Sequence, residues 1–388
     1  MKNLIYVVFS LLLTGCNNNP PVDNNLVILD VSKSYPEKEI LLSDIADITY
    51  VQLDDSNEDF IFSGNVGAVS TNYIIGADFR KGDILFFSKE GKPISKFNHK
   101  GGGPEDYTQL MSIMYHEISN DLYTHDMTKI VVYNSKGEYK RTVSLPEGVM
   151  LANDYALFDD KSIVMFDSNK KSIAGFLHQR VNNPPTKEDE KDATNNYPNP
   201  SYLKTSKIDG TIEEYINVPE DFFGVDLTVT VDMGGNAAKA SAITYHIVNH
   251  ENGLLLHNHA TDTVFLYTLD GSLNPYMVQS PSVKALNPGV YINTVVDRGG
   301  YQFIDLHILK VKLPGPVVTS QLIRNKATGE VFTSKITLND FKGKDITINR
   351  NTVRYFQNVD EGLISFTVEE LYEALAAGHL SGELKAFV

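Results

Sequence analysis

Short apolar runs recur along the chain, some continuous and some alternating, with Gly, Asn and Asp at the breaks between them. That is the pattern of β-strands joined by tight turns. The runs at 73–75, 84–87, 130–133, 163–166, 254–257, 264–267 and 346–348 carry it. A helical pattern is convincing only near the C-terminus, over 368–377. There Thr367 and Glu370 stand at capping-box spacing, and Gly378 follows as a stop. A chain of 388 residues with this balance is predicted to be all-β: a pair of sandwiches, a large barrel, a β-helix or a propeller.

Internal repetition selects the propeller. Residues 73–78 lead to 84–91 and then 94–97; residues 122–126 lead to 130–137 and then 139–143; residues 254–259 lead to 264–271 and then 276–278. Each unit reads strand, polar turn, strand, tight turn ending in Gly, strand. The sequence Lys207-Ile208-Asp209-Gly210 is a fourth such turn. Gly91, Gly137, Gly210 and Gly271 are spaced by 46, 73 and 61 residues, near the length of a blade or stretched beyond it. The stretching has a visible source in 182–200, with four prolines and a charged run, which reads as an exposed insertion in the third blade. The remaining length predicts six four-stranded blades over 41–388. Residues 45–53 then supply an early strand that completes the last blade, so that joining the chain ends removes an open edge.

The N-terminus has a different pattern. Lys2 precedes an apolar run over 4–13, too short to span a bilayer, and Leu13-Thr14-Gly15-Cys16 follows. Small residues before the only cysteine of the chain read as a lipoprotein leader, 1–15, with Cys16 lipidated and 16–40 as tether and lead-in. The polar, proline-containing stretch after Cys16 suits a tether. Asn17 is not acidic, so the expected anchor is the outer membrane of the cell envelope, on either its periplasmic or its surface face. With its sole cysteine acylated, the chain has no disulfide to call on, and the fold must stand on its core.

Two segments then resemble a known family. Residues 42–53 (LSDIADITYVQL) resemble the opening strand of the Bacteroides-type six-bladed β-propeller lipoproteins, and Gly101-Gly102-Gly103-Pro104-Glu105-Asp106-Tyr107 matches their G-x-G-P-x-x-Y loop after the first blade. The leader and the chain length agree with them. The resemblance implies a six-bladed ring related to NHL-type propellers, and it implies no catalytic residues.

Composition narrows the partners. The formal charge is −15, and no dense basic run interrupts it, so a nucleic-acid partner is not expected. Trp is absent while Tyr and Phe number 20 and 19; a sugar site here would have to stack on Tyr or Phe. There is no G-x-S-x-G and no H-E-x-x-H. Gly101–Gly103 does not precede a helix signal and lacks the P-loop lysine, so its glycines are expected to bend the chain between blades, with Tyr107 anchoring the loop.

Candidate site residues lie at loop ends of the repeat: Arg80, Tyr107, His125, Asp126, His257 and His259. His257 and His259 stand two apart on a strand and so share a face. They could share a divalent metal if a third ligand such as His116, His125, Asp126 or His246 joined them. Asp78, Asp126, Asp167 and His259 occupy equivalent repeat positions; the plainer account of such acids is that they accept backbone N–H groups in the following turn. The expected function is a binding or scaffold module, anchored to a membrane by its lipid and monomeric, that presents loops to a glycan, a peptide or an envelope protein. No cofactor is indicated. The alternative is a metal-assisted hydrolase or lyase using the central cavity.

Overall fold

The computed structural model describes residues 5–10, 26–54, 56–62, 64–126, 129–145, 154–166, 202–219, 228–232, 237–241, 246–257, 261–286, 289–309, 318–353 and 361–388. Cys16, Asp167, His259 and the expected insertion at 182–200 lie outside them.

The third strand of the first blade, Asp83–Ser88, shows why the apolar runs are continuous. Ile84, Leu85, Phe86 and Phe87 are all buried, because a blade is covered by a neighbour on each face, and each such side chain contributes about 1.5–3 kcal/mol on burial. Four strands arranged in this way form each blade, paired antiparallel in sequence order: residues 65–97, 112–144, 155–216, 246–280 and 289–346. The first strands of the blades, Asn65–Val69, Ser112–His116, Tyr155–Leu157, His246–His250 and Gly289–Arg298, lie side by side around the centre.

The described residues therefore form five blades of four strands and not the expected six. The difference lies in strand length. Early blades use strands of 5 or 6 residues, whereas the last blade uses Gly289–Arg298, Tyr301–Leu309, Val318–Asn325 and Val331–Leu338, of 8 to 10 residues, with Phe341–Ile346 added. The fifth sheet spends 58 residues where the first blade spends 33, and the chain beyond it supplies Glu361–Phe366 to a separate three-stranded sheet and then the C-terminal helix.

The two ends of the chain meet in a separate three-stranded sheet. Glu361–Phe366 and Asp47–Gln52 each pair antiparallel with Ile5–Ser10, which lies between them. The apolar run of the expected leader is thus a central strand in this structure, a conformation open to any short β-branched and aromatic run. On one side Val51 and Leu363 pack with the first blade through Phe62, Ile74 and Phe87; on the other, Tyr50 and Phe366 join the core of the fourth and fifth blades. Residues of the expected tether and lead-in also enter sheets. Val27–Asp30 pairs parallel with the last strand of the fourth blade, and Glu37–Leu41 pairs parallel with Val331–Leu338. The C-terminal helix forms as expected over Val368–Ala376: Thr367 Oγ1 accepts from Glu370 N, and Gly378 follows at φ +70°.

Candidate functional site

A cavity of about 920 Å³ runs through the ring, lined by the first strands of four blades and by the short helix Arg350–Val353. Strand pairing defines its two ends. Ser112 pairs with His125 at one end of the second blade, and His116 pairs with Asp121 at the other.

At the Ser112 end, the His125 and Tyr155 rings meet edge to face with centroids 4.9 Å apart. The Tyr155 hydroxyl bonds that of Ser112. His125 is 2% exposed, and its Nε2 has no hydrogen-bond partner among the described residues. Burial pushes its pKa down to about 4, so the ring is neutral at pH 7. Beside it, Asp154 pairs with Arg350 and accepts from Ile247 N at 2.8 Å, while Arg350 Nε donates to the Ile247 carbonyl at 3.4 Å. Asp154 is 4% exposed, so this tie joins the third blade, the fourth blade and the helix at 350–353 in a place that water scarcely reaches.

At the opposite end, His116 Nδ1 bonds the Ser119 hydroxyl at 2.8 Å, and Nε2 lies 3.8 Å from Asp160. Desolvation and then the Lys207 charge lower the His116 pKa. Glu251 and Asp159 also line this end, and Lys204 lies 3.7 Å from Asp159. Between the fourth and fifth blades His250 stands 3.9 Å from Asp297. Burial alone would raise the Asp297 carboxyl, but Lys326 at 2.8 Å, together with Tyr276, outweighs it and holds the pKa below its ordinary value.

Of the candidate residues singled out in the sequence, His125 lines this cavity at the Ser112 end and His116 at the opposite end. Arg80 is exposed in a turn of the first blade, its N–H donating to Asp78 Oδ1 at 3.1 Å. Asp78 also accepts from Lys81 N and so organises its own turn, whereas Asp126 accepts from Thr108 N at 2.8 Å and from the Thr108 hydroxyl, 18 residues earlier in the chain. His257 is buried in the second strand of the fourth blade, where its carbonyl accepts from the Tyr202 hydroxyl at 2.9 Å. Its proposed metal partner His259 is outside the described residues. Among those residues no group of three His, Cys, Asp or Glu side chains is placed to hold a metal ion.

The glycine loop closes on itself. Gly103 N donates to Asp106 at 2.8 Å, and a Cβ on Gly101 would lie 2.3 Å from that carboxylate. Tyr107 is fully buried; its hydroxyl donates to the Gly82 carbonyl at 2.6 Å and accepts from His99 N at 3.0 Å. Burial pushes its pKa up to about 12. Tyr107→Phe leaves both main-chain groups short of a partner, and an expected loss of about 1–3 kcal/mol in urea unfolding follows. An unchanged midpoint would show that the loop does not depend on the hydroxyl.

Ser112, Asp154, Tyr155 and Arg350 were not singled out in the sequence. They belong to first strands, or to the short helix beside them, whereas the repeat had drawn attention to the ends of second strands.

The ring of four-stranded antiparallel sheets around one cavity makes the molecule a β-propeller. The chain belongs to the family described as Domain of unknown function (DUF4934), which matches residues 26–280. Among solved structures it is similar to a Bacteroides fragilis protein described as exported (15% identity, 79% of each chain, TM-score 0.49). It is also similar to a DUF4221 family member from Bacteroides vulgatus (12% identity, 79% of this chain and 95% of the other, TM-score 0.45). No curated protein matches it. No helix among the described residues is long and apolar enough to cross a membrane.

The histidines make stability sensitive to pH. The folded-state pKa of His125, about 4, lies below the unfolded value of 6.5. Between those values the unfolded chain binds a proton that the folded chain does not, so stability is greatest above pH 6.5 and falls as pH drops towards 4. The expected loss from His125 is about 3 kcal/mol; His116, His250 and His307 shift in the same direction. Urea unfolding at pH 7 and pH 4.5 checks this, and His125→Leu should flatten the profile. An unchanged slope in that variant would remove His125 as a cause.

Proposed function

We propose that this chain is a binding module of the cell envelope, lipid-anchored at Cys16, whose central cavity receives a glycan, a peptide or a loop of an envelope protein. The cavity carries this reading. Its 920 Å³ lies within the usual size of a ligand site, and its lining mixes aromatic faces with a few converging polar groups. The absence of a nucleophile motif in the sequence supports binding over catalysis. The metal-assisted alternative gains nothing from the described residues, since His257 stands off the cavity.

The test uses the soluble domain with oligosaccharide and peptide panels, read by hydrogen exchange. A ligand in the cavity slows exchange in Ser112–His116 and Tyr155–Leu157. Binding that protects only outer strands such as Pro93–Phe97 and Tyr139–Ser144 would overturn the cavity as the site. Fractionation of cells making the full chain, with mass analysis of its N-terminus, tests the anchor: a diacylated Cys16 is expected, and a soluble, unmodified chain would contradict it.

A further inference from the structure

Among the described residues that line the cavity, His125 is the one whose hydrogen-bonding capacity is buried and left unspent. An imidazole 2% exposed, with Nε2 unpartnered among the described residues, costs stability, since buried polar side chains in folded proteins are nearly always bonded. The residues around it do not need it. Asp126, next in the chain, is committed to Thr108. The carboxylate on the cavity wall at this end, Asp154, is paired with Arg350. The Tyr155 ring covers His125, and Phe79 lines the cavity as well. This end of the cavity thus combines a neutral ring nitrogen, aromatic faces, the Ser112 and Tyr155 hydroxyls, and a charge pair already satisfied.

We infer that the Ser112 end of the cavity is a subsite for a neutral saccharide, with Tyr155 moving off His125 to stack on a sugar ring while His125 Nε2 bonds one of its hydroxyls. The inference rests on the proposed binding function and adds to it a ligand class and a contact atom. Sugar rings pair an apolar C–H face with peripheral hydroxyls, which suits an aromatic face beside a hydrogen-bonding nitrogen. Among the described residues lining this end, a charged ligand finds no counter-charge beyond the Asp154–Arg350 pair. In a chain without Trp, Tyr155 and Phe79 are side chains of the type a sugar requires.

The test is calorimetric titration of the soluble domain with neutral tetrasaccharides (maltotetraose, cellotetraose, xylotetraose, chitotetraose), with tetralysine and tetraglutamate as charged probes. Wild-type protein should bind at least one neutral saccharide, and its ¹⁵N-labelled His125 Nε2 resonance should move on titration. His125→Leu should weaken that binding about tenfold, the value of one hydrogen bond of ordinary strength, while its Tm holds or rises because the unspent polar atom is gone. His125→Gln, which keeps a hydrogen-bonding group, should retain part of the affinity. If no neutral saccharide binds while a charged probe protects the inner strands, the inference fails and the binding function stands. If nothing enters the cavity, both fail. Unchanged saccharide affinity in His125→Leu, with a lowered Tm, would make His125 a structural residue and overturn the assignment.

Discussion

Replacing Arg350 with methionine is expected to cost about 3–5 kcal/mol of stability, the usual result of removing one partner from a buried ion pair. The reason is the position of Asp154. Its carboxylate is buried and holds both the Arg350 guanidinium and the Ile247 N–H. Methionine fills the space of the arginine stem but leaves the acid without its counter-charge. Three parts of the ring are tied there, so the loss should be global and lower the denaturation midpoint of all blades together. Arg350→Met combined with Asp154→Asn should recover much of the loss, because no uncompensated charge then remains. A single variant as stable as wild type would show that the pair does not form in solution.

Gly91→Ala is expected to cost about 2–4 kcal/mol. Gly91 sits at φ +82°, where a Cβ alone costs about 1–2 kcal/mol. A Cβ would also lie 1.9 Å from the Gln52 carbonyl oxygen, a backbone atom that cannot swing away. Gly91 O accepts from Asp54 N at 2.9 Å, so any shift opens the seam between the first blade and the sheet made by the chain ends. Gly271 provides the control. It has nearly the same φ, +84°, but nothing lies within 4 Å of its Cβ position, so Gly271→Ala should show the backbone term alone. Equal losses at the two sites, measured by guanidinium unfolding, would contradict the seam.

These glycines also show what the sequence made legible. Gly91, Gly137, Gly210 and Gly271 marked equivalent turns, and all four take positive φ between +81° and +84°. The strand runs and the C-terminal cap at Thr367 were readable for the same reason: each depends on neighbours close in sequence. The number of blades was not. It depends on how many residues each strand spends, and the apolar pattern alone does not say whether 289–346 folds with strands of 5 or 6 residues or of 8 to 10. Only pairing such as Tyr301 with Asn325 and His307 with Thr319 decides between them. The cavity was partly legible. His125 stood out by type and repeat position, but Tyr155 and Arg350 reach it from distant segments, and no local spacing links Asp154 to a residue 196 positions away.

The proposed function places a ligand inside the ring. The most direct measurement is hydrogen exchange of the soluble domain with and without a bound saccharide or peptide, resolved strand by strand. A ligand inside the ring should slow exchange in the inner strands around the cavity, foremost Ser112–His116 and Tyr155–Leu157, and leave the outer strands unchanged. Protection confined to the outer strands, or binding that leaves the inner strands untouched, would contradict it.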